Sequence, residues 1–308
     1  MSFITCCERT PCSTAISVLC VQLNSTADEG GVFISGQTII VMMLTPTLSI
    51  VEAMARAAGE ILRDGFQLRP GFNESFRVEH KGVIDLVTDL DYRAETLLLN
   101  EIKERFPSHG AVAEETGGLE GSGSRRWYID PLDGTVNFAH GVPIFSISVA
   151  YAEDGDLKLG TVYDPIQEEC FTAERGRGAW LNGEPIRVSR TGNLDDSLLV
   201  TGFPYDIRTN PENNLDNFAR FSLLTQGVRR LGSAALDLCY VAAGRFDGFW
   251  EMRLNAWDVA AGGLIAEEAG ARVTGLRGEP DFLSPPHSIL AANLQLHPLM
   301  LEVLQRDY

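Results

Sequence analysis

Nowhere in this chain of 308 residues is there a run of about 18 or more apolar residues, so no segment reads as a membrane span. Basic residues are scarce, with 25 Lys and Arg against 42 Asp and Glu and a formal charge of -17. That balance argues against a nucleic-acid partner, which needs a basic surface. Acidity alone mostly favours solubility, but a cluster of metal-ligating acids counted without its cations adds to it. The five histidines, His80, His109, His140, His287 and His297, lack metal-ligand spacing and read as surface or packing residues. The six cysteines form no paired C-x-x-C zinc pattern. Cys6, Cys7, Cys12 and Cys20 crowd the first twenty positions, whereas Cys170 and Cys239 stand alone and read as core thiols of a reducing, cytoplasmic compartment. Residues 1–45 also lack helical periodicity, a basic start and an unbroken apolar core, so neither a secretory nor a transit signal fits. They are expected to be a poorly ordered extension, with Met43 as the working start.

Length and an apolar content of 44% leave ample surface to bury without staples. Ile50, Met54, Ala57, Ala58, Ile61 and Leu62 recur at helical steps and predict a helix over 49–65. Residues 84–88 read as a strand, and Ala94, Leu97, Leu98 and Ile102 predict a helix over 91–106 that Pro107 stops. A short strand over 111–115 ends in Glu114-Glu115. The glycine and serine loop at 117–124 lacks Walker spacing and reads as a connector or lid. Strands at 144–151 and 157–163 are joined through Asp154-Gly155, a strong hairpin signal, and pieces at 169–173 and 179–181 extend the meander. Beyond 196, strands near Leu198, Val228, Phe249, Val273 and Ile289 alternate with helix-like runs, the pattern of an α/β segment. The expected organisation is the extension at 1–45, a mixed α+β half at 46–190 and an α/β half at 191–308, joined near 187–194.

The most informative stretch is Trp127-Tyr128-Ile129-Asp130-Pro131-Leu132-Asp133-Gly134-Thr135-Val136-Asn137-Phe138. An apolar strand leads into two carboxylates on a tight turn, followed by Gly-Thr where a helix can begin. Acids three apart can aim oxygens at one point, and a backbone turn can offer N–H groups to a phosphate. A bare D-x-x-D is a weak signal and often a solvated turn. The whole string is stronger, because Gly134 permits close backbone approach and Thr135 brings a hydroxyl to the same place. Hydrolysing a phosphate monoester means cancelling a dianion's charge, activating water and stabilising the departing alkoxide, which paired Mg²⁺ ions can do together.

With these features the chain resembles the inositol monophosphatase family of magnesium-dependent, lithium-sensitive phosphatases, in its bacterial type. The resemblance spans roughly residues 46–308. It rests on Lys81, Asp85-Leu86-Val87-Thr88 with Asp91, Glu114-Glu115, the Asp130 string, Gly232-Ser233-Ala234-Ala235, and Glu251 with Trp257-Asp258. It implies a mixed α/β fold of stacked α-β-α-β-α layers with the site between the sheets, and a homodimer. It also implies two to three Mg²⁺ ions. Glu114, Asp130 and the Leu132 carbonyl would hold the first; Asp130, Asp133 and Asp258 the second; a weaker third would lie beside Glu114. Water at the first ion would attack, with Thr135 and Asp91 paired to orient or take its proton. Gly134 and Thr135 N–H groups would bind the phosphate, and Asp133, Ala235, Glu251 and Asp258 would meet substrate hydroxyls, with Lys81 in the substrate-binding set.

Duller readings stand beside these. Asp258 precedes a helical run, where an acid often merely caps. Glu251 follows an apolar strand end, where a solvated acid is common. Glu115 can orient Glu114 or face solvent, Trp257 reads as packing, and Lys81 and Asp91 in isolation would be surface residues. The expected function is hydrolysis of a myo-inositol monophosphate, with a broader sugar phosphatase of the fructose 1,6-bisphosphatase type as the alternative. A fold does not choose among such small phosphate esters. A non-catalytic metal-binding regulatory protein is the alternative of another class; against it, no needed acid is replaced by a neutral residue.

Overall fold

The apolar period near residue 50 becomes α1 (Leu48–Gln67), which buries Val51, Met54, Ala55, Ala58 and Leu62 along one stripe. The computed structural model describes residues 16–21, 39–67, 78–80, 86–285 and 287–305, with side chains within 44–67, 89–285 and 287–305. Residues 1–46 and 47–308 are separate units. In the first, β1 (Ile16–Val21) pairs antiparallel with β2 (Ile39–Leu44), Ile16 opposite Leu44. The expected poorly ordered extension otherwise lies outside the described residues.

In the second unit, β3 (Val78–His80) and β4 (Leu86–Thr88) form a small antiparallel pair. Next, α2 (Asp89–Arg105) buries Leu90, Ala94, Leu98 and Ile102, together with two acids, Asp91 and Glu95. A seven-stranded sheet follows from β5 (Gly110–Ala113), β6 (Arg125–Asp133), β7 (Ser146–Glu153), β8 (Asp156–Asp164), β9 (Glu169–Glu174), β10 (Gly178–Leu181) and β11 (Glu184–Pro185), ordered β11-β10-β9-β8-β7-β6-β5. Only its β5–β6 pair is parallel. The Asp154-Gly155 hairpin forms as its residues require, with φ of 56° and 85° at the two turn positions. A short α3 (Thr135–His140) springs from the end of β6.

All five strands expected beyond 196 are present: β12 (Leu198–Thr201), β13 (Gly227–Arg229), β14 (Gly248–Glu251), β15 (Arg272–Thr274) and β16 (Ile289–Ala292). They form a second sheet ordered β13-β12-β14-β16-β15, parallel from β13 to β14 and antiparallel from β14 to β15. Among them run α4 (Leu215–Leu224), α5 (Ala234–Ala242), α6 (Ala256–Glu268) and α7 (Leu296–Leu304).

The layers follow from which faces are apolar. On one side of the large sheet lie α1 and α2; α5 and α6 lie between the sheets; α4 and α7 cover the far face of the small sheet. This is the expected α-β-α-β-α stack. The middle layer must be apolar all round, and every residue of α6 from Val259 to Ala266 is buried. Close contact is possible because Gly160 of β8 has no side chain; a Cβ there would lie 3.0 Å from the Ala261 carbonyl oxygen of α6. Cys170 and Cys239 are free and buried, as the sequence suggested.

Candidate active site

The two acids of the central motif lie within β6 itself rather than on a turn after it, which is a difference from the sequence expectation. Asp130 pairs with Ser148 and Asp133 with Ser146, so three steps along β6 match two along β7. One extra residue is accommodated by a bulge, where Pro131, lacking an N–H, costs no ladder bond. The bulge re-aims the backbone, and Asp130 Oδ1 accepts a hydrogen bond from Leu132 N at 3.0 Å. The turn begins only at Gly134, whose φ of 101° favours glycine. A Cβ there would lie 3.0 Å from the Ile144 carbonyl oxygen and 3.3 Å from that of Gly232.

Thr135 Oγ1 stands 3.0 Å from the Leu132 carbonyl oxygen and 3.3 Å from Asp91 Oδ1. The expected pairing of Thr135 with Asp91 is therefore present, and both are buried. Across the cleft, the start of α5 clasps Asp133. Ser233 Oγ donates to Oδ2 at 2.6 Å, Ala235 N to Oδ2 at 2.8 Å and Ala234 N to Oδ1 at 3.2 Å. Ala235, expected to meet substrate hydroxyls, gives its N–H to Asp133. Asn137 donates from Nδ2 to the Ile144 and Leu231 carbonyl oxygens at 2.8 and 2.7 Å, fixing α3 against the loop that leads from β13 into α5.

Glu114 lies on the turn just after β5, half-buried beside Glu115. Sequence reasoning missed what shapes this turn. Buried Glu95 of α2 accepts from Glu115 N at 2.7 Å, Thr116 N at 2.8 Å and Thr116 Oγ1 at 2.5 Å. The available signal was an acid on the apolar stripe formed by Ala94, Leu98 and Ile102. Asp258 does cap α6: its Oδ2 accepts from Asn255 N at 2.6 Å in a capping box. The capping reading and the site reading hold together, because Asp258 also lines the cleft. Trp257 is half-buried, and its carbonyl oxygen accepts from Ser148 Oγ at 3.2 Å. Lys81 and Asp85 lie outside the described residues.

The cleft encloses about 890 Å³, including its open mouth, and its walls include Glu114, Asp130, Asp133, Thr135, Glu251 and Asp258. Burial raises the Asp130 carboxyl well above the usual range, reinforced by Glu114, Asp133 and Asp258. Burial likewise raises Asp258, with Glu114 adding to it. Asp133 is raised by burial to about 6, held back by its bonds from Ser233, Ala235 and Ala234. Burial followed by repulsion from Asp258 and Asp133 raises Glu251 to about 8, opposed by Arg230.

Among the described residues, no three acids, histidines or cysteines form a ready-made metal cage. The donors nevertheless fit Mg²⁺. They are hard carboxylate and carbonyl oxygens crowded enough to disfavour one another's charge, and several are already held by protein N–H groups. Such a partial set suits a cation that keeps part of its water shell.

The sequence model of the inositol monophosphatase family matches residues 43–307. The chain belongs to this family. Inositol-1-monophosphatase of Mesorhizobium japonicum is 39% identical over 266 residues, 86% of this chain and 98% of that protein. Nus factor SuhB of Pseudomonas aeruginosa is 43% identical over 269 residues, 85% of this chain and 97% of that protein. The solved structure of inositol monophosphatase from Anabaena (Nostoc) sp. aligns with a TM-score of 0.75 at 41% identity, covering 83% of this chain and 94% of that one. Membership makes phosphatase chemistry with a metal, typically Mg²⁺, the expectation for this site. Among the described residues no helix is long and apolar enough to cross a membrane.

Proposed function

We propose that the protein hydrolyses a myo-inositol monophosphate to inositol and phosphate, as a homodimer of the cytoplasm. The observation that carries the reading is the convergence of Glu114, Asp130, Asp133, Thr135 and Asp258 on one cleft. Glu114, Asp130, the Leu132 carbonyl, Asp133 and Asp258 would hold Mg²⁺. When bound, Mg²⁺ supplies positive charge against the phosphate dianion and the departing alkoxide and makes water more acidic.

The chain's own residues do the rest. The left-handed turn at Gly134 starts α3, and the N–H groups of Gly134 and Thr135 can face a phosphate there. Thr135 Oγ1 has one hydrogen and two acceptors, Asp91 and the Leu132 carbonyl. Turning it toward Asp91 frees a Leu132 lone pair and leaves the hydroxyl oxygen able to accept a hydrogen bond from water, and a proton taken from that water is balanced by the Thr135 proton passing to Asp91. Asp133, held by three donors, cannot swing away when substrate enters. Glu251 offers a carboxyl to the alcohol half of the substrate.

Parallel phosphate-release assays on myo-inositol 1-phosphate, fructose 1,6-bisphosphate, histidinol phosphate, NADP and phosphoadenosine phosphate test the substrate. The expected result is a dominant rate on the inositol ester, suppressed by Li⁺; a dominant rate on fructose 1,6-bisphosphate would overturn the choice. The relatives named Nus factor SuhB support a second reading, a regulatory protein contact beside or instead of hydrolysis. Asp133→Asn separates the two, since it removes hydrolysis and leaves a purely scaffolding role intact.

A further inference from the structure

We infer that Asp237, with Arg230 on the wall of the same cleft, reads a hydroxyl on the alcohol half of the substrate, so that the site selects polyol phosphates over phosphate esters of alcohols without free hydroxyls. The inference rests on the phosphatase reading above and deepens it by assigning a specificity-determining residue.

Asp237 lies in the first turn of α5 among Leu236, Leu238 and Cys239, all fully buried. Its own exposure is 1%. The backbone N–H of Asp237 donates to the Ser233 carbonyl oxygen at 3.0 Å, which places it one turn into the helix from the clasp on Asp133. A residue three or four positions on shares the face of Ser233 and Ala234, and Asp237 accordingly lines the same cleft as the acids of the site. Its Oδ1 is buried and has no hydrogen-bond partner in the protein.

A buried carboxyl oxygen without a donor is costly to keep. Glu251 and Asp133, of the same sign, act against a charge on it, and Arg230 opposes them. The acid is therefore suited to a donor brought from outside. Hydroxyls fit: each can donate to Asp237 or Glu251 while accepting from the Arg230 guanidinium, and a ring carrying several can satisfy both acids together. A bare aromatic or alkyl alcohol would leave both unpaired. Arg230 is itself steadied over the Phe203 ring, its guanidinium carbon 6.0 Å from the centroid.

The test compares wild type, Asp237→Asn and Asp237→Ala on myo-inositol 1-phosphate, fructose 1,6-bisphosphate and p-nitrophenyl phosphate with saturating Mg²⁺, alongside thermal midpoints. Wild-type turnover of the inositol ester tests the proposed function separately, since the ratio of rates can be read on whichever polyol ester is cleaved. For that ester, kcat/KM is expected to fall about 10-fold or more in both variants, chiefly through KM, with less than about 3-fold change on p-nitrophenyl phosphate. The midpoint should hold or rise, because a costly buried acid is gone. Three outcomes would overturn the inference: equal losses on all esters with a lowered midpoint, an unchanged ratio, or a wild type that prefers p-nitrophenyl phosphate.

Discussion

In the proposed reaction Thr135 carries the proton chemistry that the protein itself can supply, and its hydroxyl is separable from its packing. Val keeps the shape and the buried methyl while removing the hydrogen shared between Asp91 and Leu132. Thr135→Val is expected to lower kcat roughly 10²–10⁴-fold with the fold intact, whereas Thr135→Ser should stay within about 10-fold of wild type. Steady-state kinetics beside circular dichroism checks both. Glu95 acts through another residue, holding the turn that presents Glu114. Replacing it by Gln sets an amide against backbone N–H donors, so Glu95→Gln should cost about 1–3 kcal/mol in urea unfolding and raise the Mg²⁺ concentration needed for half-maximal rate. A normal Mg²⁺ requirement in that variant would contradict the positioning role. The Asp130 string was legible because its acids, glycine and threonine are adjacent in sequence. Glu95 and Asp237 were not, since each looks like an ordinary helical acid until the fold buries it.

At the scale of elements, alternation and turn chemistry exposed most strands and the Asp154-Gly155 hairpin. The bulge in β6 was hidden, because a strand with one extra residue and a turn with two acids have the same local sequence. The edge of that bulge is what brings Asp130 and Asp133 to one face of the cleft, so the departure from regular pairing is part of the site. Spacing alone also could not give the layer count, which depends on which sheet faces α5 and α6 choose. Their contact with the large sheet depends on Gly160. Gly160→Ala places a Cβ 3.0 Å from the Ala261 carbonyl oxygen, and α6 cannot retreat without opening the packing against the second sheet. A loss of about 1–3 kcal/mol is expected, read as a lowered thermal midpoint with kcat largely kept. An unchanged midpoint would mean that the middle layer is looser than this packing implies.

For the whole molecule, stability against acid is set by groups far from the cleft as well as by those in it. Burial lowers both His109 and His297 to about 4, with Arg125 and Arg272 respectively adding to the effect. His109 Nδ1 accepts from Trp127 Nε1 at 3.1 Å, and His297 Nε2 lies 2.9 Å from Thr274 Oγ1. An unfolded chain protonates these rings near pH 6.5, so between about 6.5 and 4 it binds more protons than the fold, and stability falls as pH falls. The raised acids of the cleft work in the opposite sense when no cation is bound, so the histidine effect is best read as a difference. His297→Gln should show a shallower loss of thermal midpoint than wild type from pH 7.5 to 4.5, the gap reflecting roughly 1–3 kcal/mol. Parallel profiles would mean that His297 does not contribute to the loss of stability in acid.

In the proposed function one cleft of carboxylates works as a metal-dependent phosphatase on an inositol phosphate. Phosphate release from myo-inositol 1-phosphate across a Mg²⁺ titration, for wild type and Asp133→Asn, tests it most directly. Saturable Mg²⁺-dependent turnover, at least about 100-fold weaker in the variant, is the predicted result. Turnover that persists in excess chelator, or none from folded protein at saturating Mg²⁺, would contradict it.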